Sequence, residues 1–337
     1  MSRTILLTGI TGFIAKRIAL DLLAAGYAVR GSLRSAGRAE EVRAALRPHL
    51  TDPDALERLT FVEADLASDT GWAEAVDGMD AVLHTASPFP MAQPRDEEEV
   101  IRPAVDGALR ALRAAQAAGV TRFVITSSMA AVMYKDIAPG QAVSEADWSE
   151  ADHATMTPYA KSKLLAEKAA WDFASEHPEM QLTAINPGLV AGPPVDARWG
   201  TSLGIIEQMV TGKMPAIPNF GLPVVDIRDV STAHVRALER DASIGSRFVL
   251  ADRYMMAPEI ADVLRAAHPG AKVPKRRAPK WMMRLMAPFD STARAVLPIL
   301  DLQLDISNAR TREMLGIAFI PAEDSIRASA DAILARG

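Results

Sequence analysis

The chain has 337 residues, 49% hydrophobic and 23% charged, with a net charge of -5 and no cysteine. That balance suits a soluble globular protein with a sizeable core, in one large domain or two intimate ones. It offers no long basic run for nucleic acid or another polyanion, and it excludes disulfides, thiolate catalysis and cysteine-ligated zinc.

The first apolar run, Ile5-Leu6-Leu7, is too short for a signal peptide or a membrane span, so a cytoplasmic enzyme is expected, with no membrane partner and no metal. The run reads as a buried strand followed by Thr8-Gly9-Ile10-Thr11-Gly12-Phe13-Ile14-Ala15 and then an apolar-periodic helix to Gly26. Glycines at 9 and 12 permit a tight turn and close approach of the backbone to a phosphate, and the helix start favours an anion. Thr8, Gly9, Thr11, Gly12, Phe13 and Ile14 are therefore expected at a dinucleotide. The second strand, Tyr27 to Leu33, ends without the carboxylate that usually binds a free ribose diol. Arg34, with Arg38 behind it, suits a 2′-phosphate instead; solvated loop charges are the plain alternative.

A third strand near Phe61-Val62-Glu63 leads to Asp65 and Leu66, where Asp65 can meet an adenine amino group or simply cap a turn. The fourth, Asp80 to His84, runs into the small residues Thr85, Ala86 and Ser87, which leave room for the middle of a cofactor. His84 lies in an apolar strand and reads as a packed core residue. Pro88 and Phe89 form a stiff apolar loop suited to a substrate mouth. A long helix, about 97–118, contains Pro103. The fifth strand, Arg122 to Thr126, ends at Ser127-Ser128-Met129, where open α/β sheets bind ligands. A serine there can hold a carbonyl oxygen; Ser128 is favoured, with Ser127 the alternative, and Met129 would floor the pocket. Pro158 then suits a first helical turn, which puts Tyr159 and Lys163 on one face a turn apart. An ammonium near a phenol lowers its pKa and makes it a proton donor that also serves as a base. A sixth strand, Thr183 to Gly188, closes on Pro187-Gly188, where a nicotinamide ring could rest, with Val190 beyond. Strands alternating with helices predict a doubly wound, Rossmann-like parallel sheet.

Thr8-Gly-x-x-Gly12-x-x-Ala15, Ala64-Asp65-Leu66, Thr126-Ser127-Ser128 and Tyr159-x-x-x-Lys163 together resemble an extended short-chain dehydrogenase/reductase. Tyr159 to Glu167 and Asn186 to Val190 resemble the branch of dihydroflavonol, cinnamoyl-CoA and aldehyde reductases. The resemblance covers roughly 4–255. It implies Tyr159 as proton donor, Lys163 on the nicotinamide ribose, a serine on the carbonyl oxygen, and cofactor contacts that include Ser127, Tyr159, Lys163, Pro187, Gly188 and Val190.

Beyond Gly192 the cofactor motifs end. A dinucleotide-binding domain is expected over 1–190 and a mainly substrate-binding region over 191–337, with about 224–250 returning to the first domain. Basic residues 272–277 precede Trp281-Met282-Met283, which reads as a packed helix beside a solvated loop rather than a membrane-surface helix. The expected activity is NADP(H)-dependent interconversion of a small-molecule carbonyl and alcohol by a monomer or homodimer. A nucleotide-sugar epimerase or dehydratase, a hydroxysteroid-type dehydrogenase and a non-catalytic cofactor-binding protein are the rivals. A dehydratase needs an acid/base pair beside the serines, and Met129-Ala130 supplies none.

Overall fold

The computed structural model describes residues 3–87, 96–138 and 140–336. Chain order begins β1 (Thr4–Thr8), α1 (Phe13–Ala24), β2 (Ala28–Leu33), α2 (Ala39–Leu46), β3 (Leu59–Glu63), α3 (Trp72–Val76), β4 (Ala81–His84), α4 (Glu98–Ala117) and β5 (Arg122–Thr126). Next come β6 (Ala142–Val143), α5 (Pro158–Glu176), β7 (Gln181–Pro187), β8 (Leu189–Ala191), α6 (Gly204–Val210), β9 (Ile217–Pro218) and β10 (Gly221–Asp226). Then follow α7 (Ile227–Glu239), β11 (Ser246–Leu250), β12 (Arg253–Met256), α8 (Ala257–Ala267) and α9 (Lys280–Met286), with a last helix at Ala322–Leu334.

Seven parallel strands form the central sheet in the order β11-β7-β5-β4-β1-β2-β3. Their apolar runs are buried on both faces, as a parallel sheet covered by helices requires. One face packs against α1 and α7 through Ile18, Leu22, Val230 and Ala233. The other packs against α4 and α5 through Ala108, Leu112, Ala170 and Phe173. The sheet is doubly wound: β2 and β3 lie on one side of β1, and the chain then crosses back to place β4 on the other.

The stretch 224–250 divides between two sheets. β11 joins the central sheet beside β7, whereas β10 pairs with β8 and β12 in a separate three-stranded sheet. That smaller sheet, α6, α8 and the last helix share their own core, built on Leu203, Ile206, Val224, Ile260 and Ile326. Pro103 lies inside α4. In α9, Met283 is buried while Trp281 and Leu285 face outward.

Candidate active site

The reversal of strand order at β1 opens a crevice between the carboxyl ends of β1 and β4. Gly9 sits there at φ +66°, and a Cβ on it would come within 3.0 Å of Ala86 Cα, so the loop after β4 needs glycine opposite. Gly12 donates its N–H to the Gly9 carbonyl (2.9 Å) and caps α1. The first-turn N–H groups of Phe13 and Ile14 have no acceptor within their own helix, which is the chemistry an anion completes. A cleft of about 580 Å3 extends from this turn. Gly9, Thr11, Gly12, Arg34, Arg38, Asp65, Leu66, Thr85, Ala86 and Ser87 line it, as expected, joined by Ser32, Trp72 and, from α4, Glu99, Val100 and Pro103. A helix N-terminus, glycine turns and two arginines at one end fit a dinucleotide carrying an extra phosphate.

The two arginines differ. Arg38 is held by Glu41 through two hydrogen bonds of 2.9 and 3.1 Å. Arg34 is exposed and makes no hydrogen bond or ion pair with the described residues. Asp65 lines the cleft and also closes a local turn, accepting from the Ala67 N–H (3.0 Å).

Several expected contacts fall elsewhere. Thr8 is fully buried; its Oγ1 accepts from the Thr85 and Ala86 N–H groups (3.1 and 3.0 Å), while Thr85 Oγ1 donates to its carbonyl (2.6 Å). It locks β1 to the end of β4 and has no surface for a cofactor. Val190 and Pro187 are buried, Val190 within the main core. Gly188 serves packing: a Cβ there would lie 2.2 Å from the Pro223 carbonyl of β10. Met129 is buried in the second core, beneath the site and not on a pocket floor. His84 is a core residue, 3.0 Å from Thr8 Oγ1, and burial pushes its imidazole down to about 3, so it stays neutral. Pro88 and Phe89 lie outside the described residues.

Thr157 caps α5, its side chain accepting from the Ala160 N–H (3.2 Å), and Pro158 occupies the first turn. Tyr159 and Lys163 follow on successive turns. Ser128 caps the short turn Met129–Ala131, with Oγ accepting from the Ala130 N–H (3.1 Å). Its hydroxyl also stands close enough to the Tyr159 phenol to favour the phenolate. Burial pushes that phenol up to about 12, and only Ser128 opposes the rise. The expected lowering by Lys163 has no counterpart in this structure. Lys163 is itself pushed down to about 8 by burial, with the Glu167 charge acting the other way. Lys163, Ser127, Glu167, Ala86 and Ser87 share a pocket of about 20 Å3, and Ala86 and Ser87 also line the large cleft.

Within this pocket Ser127 donates its hydroxyl to Glu167. The Glu167 carboxylate also accepts from Asn186 Nδ2 (2.6 Å), Arg247 Nε (2.6 Å) and Trp171 Nε1 (3.3 Å). The sequence reading passes over Glu167, Asn186 and Arg247 as functional groups. The available signal is a carboxylate four residues after Lys163 on a helix whose neighbours are apolar. Among the described residues no group of three or more His, Asp or Glu can hold a metal ion, and no helix is long and apolar enough to cross a membrane.

Fold and crevice together define a doubly wound α/β protein with a glycine turn built to receive a dinucleotide. The NAD dependent epimerase/dehydratase family matches residues 5–251, and the chain belongs to that family. It is 35% identical to cinnamoyl-CoA reductase 1 of Arabidopsis thaliana over 278 residues, 81% of this chain and 77% of that protein. It is 31% identical to a putative NADPH-dependent methylglyoxal reductase of Candida albicans over 350 residues, 96% of each. Among solved structures, yeast methylglyoxal/isovaleraldehyde reductase Gre2 complexed with NADPH superposes with a TM-score of 0.81 at 26% identity, covering 99% of this chain and 98% of that one.

Proposed function

We propose that the protein is an NADP(H)-dependent oxidoreductase that interconverts an aldehyde or ketone with its alcohol. The observation that carries this reading is the approach of Ser128 to the Tyr159 phenol, with Lys163 one turn along the same helix and beside the cleft. Relatives whose names describe NADPH-dependent carbonyl reduction, matched over almost the whole chain, support it. Residues 1–190 then bind the cofactor, and 191–337 mainly shape the substrate side. NADPH bound in the cleft supplies the hydride.

The chain's own groups do the rest. Ser128 Oγ holds the carbonyl oxygen and polarises it. Tyr159 gives that oxygen its proton; a phenol near 12 keeps the proton until the oxygen becomes basic. Lys163 holds the ribose hydroxyls and, while charged, steadies the phenolate left behind.

Tyr159→Phe keeps the ring and removes the proton, so turnover should fall by roughly a hundredfold to ten-thousandfold. NADPH binding, read by fluorescence, should survive. Screening wild type and variant against aldehydes, ketoesters and aromatic ketones by NADPH absorbance checks both substrate class and donor. Retention of more than about a tenth of wild-type turnover by the variant would remove Tyr159 from the role.

A further inference from the structure

We propose that Glu167 is a positioning residue for this centre, clamping the carboxyl ends of β5 and β7 and the start of β11 beneath α5 so that Ser128 and Lys163 keep their places. The inference rests on the reading of Tyr159, Ser128 and Lys163 given above. A carboxylate with no exposed surface is costly unless hydrogen-bonded and paired. Glu167 is both. Ser127 at the end of β5, Asn186 in β7 and Arg247 in β11 all donate to it, and Trp171 donates from its own helix. Apolar side chains in place of both Glu167 and Arg247 would often stabilise a fold as well or better. Donors converging from three strands suit a fixed geometry.

The clamp grips Ser128 from both sides. Ser127, the residue before it, is tied directly. Asn186 Nδ2 reaches from the carboxylate to the Ser128 carbonyl (3.2 Å). Arg247 continues to the Ala131 carbonyl (3.4 Å), the last residue of the turn that Ser128 caps, and to the Glu145 and Asp147 carbonyls (3.0 and 2.6 Å). Its guanidinium lies 3.6 Å from the centre of the Trp148 ring, which fixes its plane. Lys163 stands one helical turn before Glu167, where a carboxylate supports its charge. The titratable groups facing it are Glu167, Tyr159 one turn earlier and, from β4, the neutral His84.

Glu167→Gln keeps the shape and removes the charge. Its kcat should fall at least about tenfold, since small displacements of reacting groups cost up to roughly a hundredfold. The Michaelis constant for NADPH should stay within about threefold, because Lys163 is one of many contacts along the cleft while the reacting geometry depends on it directly. The alkaline limb of the kcat profile should move to lower pH, because Lys163 loses the carboxylate that favours its charged form. A folded Glu167→Gln enzyme with kcat within twofold of wild type would overturn the proposal. So would a kcat loss with the alkaline limb unmoved, which a scaffold role alone produces. If that variant fails to accumulate, Ser127→Ala decides: it removes one donor and leaves Arg247 paired. It should lose about tenfold in kcat at unchanged NADPH affinity, and wild-type kcat would sink the idea. Tyr159→Phe, run alongside, separates the two readings. If it is inactive while the Glu167 and Ser127 variants behave as wild type, only the clamp fails; if it is active, the reductase reading fails.

Discussion

Arg34 is the residue on which we expect cofactor choice to turn. It leaves the end of β2 into the cleft with no partner among the described residues, while Arg38 is already engaged by Glu41. Glu63 of β3, paired with Leu33 at the end of β2, is occupied by the Ala36 N–H (2.5 Å). A guanidinium free to grip phosphate oxygens is worth about ten- to a hundredfold in affinity, and exposure to solvent favours the lower end. Arg34→Ala should therefore cost NADPH about tenfold in kcat/KM and leave NADH nearly unchanged. Steady-state kinetics with both cofactors decides it, and equal damage to both would deny Arg34 the 2′-phosphate. At this scale, Tyr159, Lys163 and the serine pair were legible because helical spacing and a strand end suffice to place them. Thr8 was misread because a polar residue at a strand end can face inward as easily as out. Glu167 stayed hidden because its partners, at 127, 186 and 247, meet only once the sheet is assembled.

Among the elements, α7 carries a titration of its own. Asp226 caps it, accepting from the Arg228 N–H (2.8 Å) and pairing with that guanidinium. Asp229 accepts from the Ile320 N–H (2.8 Å), tying α7 to the chain's last segment. Burial pushes its carboxyl up to about 6, with Asp226 and Asp252 adding to the rise and the Ile320 N–H and Arg228 opposing it. The folded state therefore holds this proton more tightly than the unfolded chain. The stability it contributes is complete below about 4 and is lost as pH rises through about 6. Asp229→Asn should gain Tm relative to wild type across that window and keep a constant advantage above it. Calorimetry from pH 4 to 8 tests this, and a Tm difference independent of pH would contradict it. The elements themselves were largely legible, since apolar runs bounded by turns mark each central strand. The separate placement of β10 was not, because its apolar pattern suits either sheet. The close seat of its Pro223 carbonyl against Gly188 appears only in three dimensions.

Over the whole molecule, the site draws on residues from Gly9 to Arg247, so nothing short of the complete central sheet assembles it. A chain ending at residue 245 lacks β11, leaves the edge of β7 unpaired and strands Glu167 without Arg247. Breaking such a buried pair costs about 3–5 kcal/mol, and an open edge invites association. That fragment should elute as aggregate in size-exclusion chromatography and bind no NADPH; a monomer that binds it would show the last strand to be dispensable. The same architecture has an optical consequence. Trp171 donates to Glu167, Trp148 stacks on Arg247, and Trp72, whose indole N–H bonds the Asp65 carbonyl (2.9 Å), walls the far end of the cleft. Three of the chain's five tryptophans therefore stand at the site, two against an ion pair and one in the cleft wall. Indole emission responds to nearby charge and to stacked rings, so the protein's native fluorescence reads the clamp and the cleft without any label.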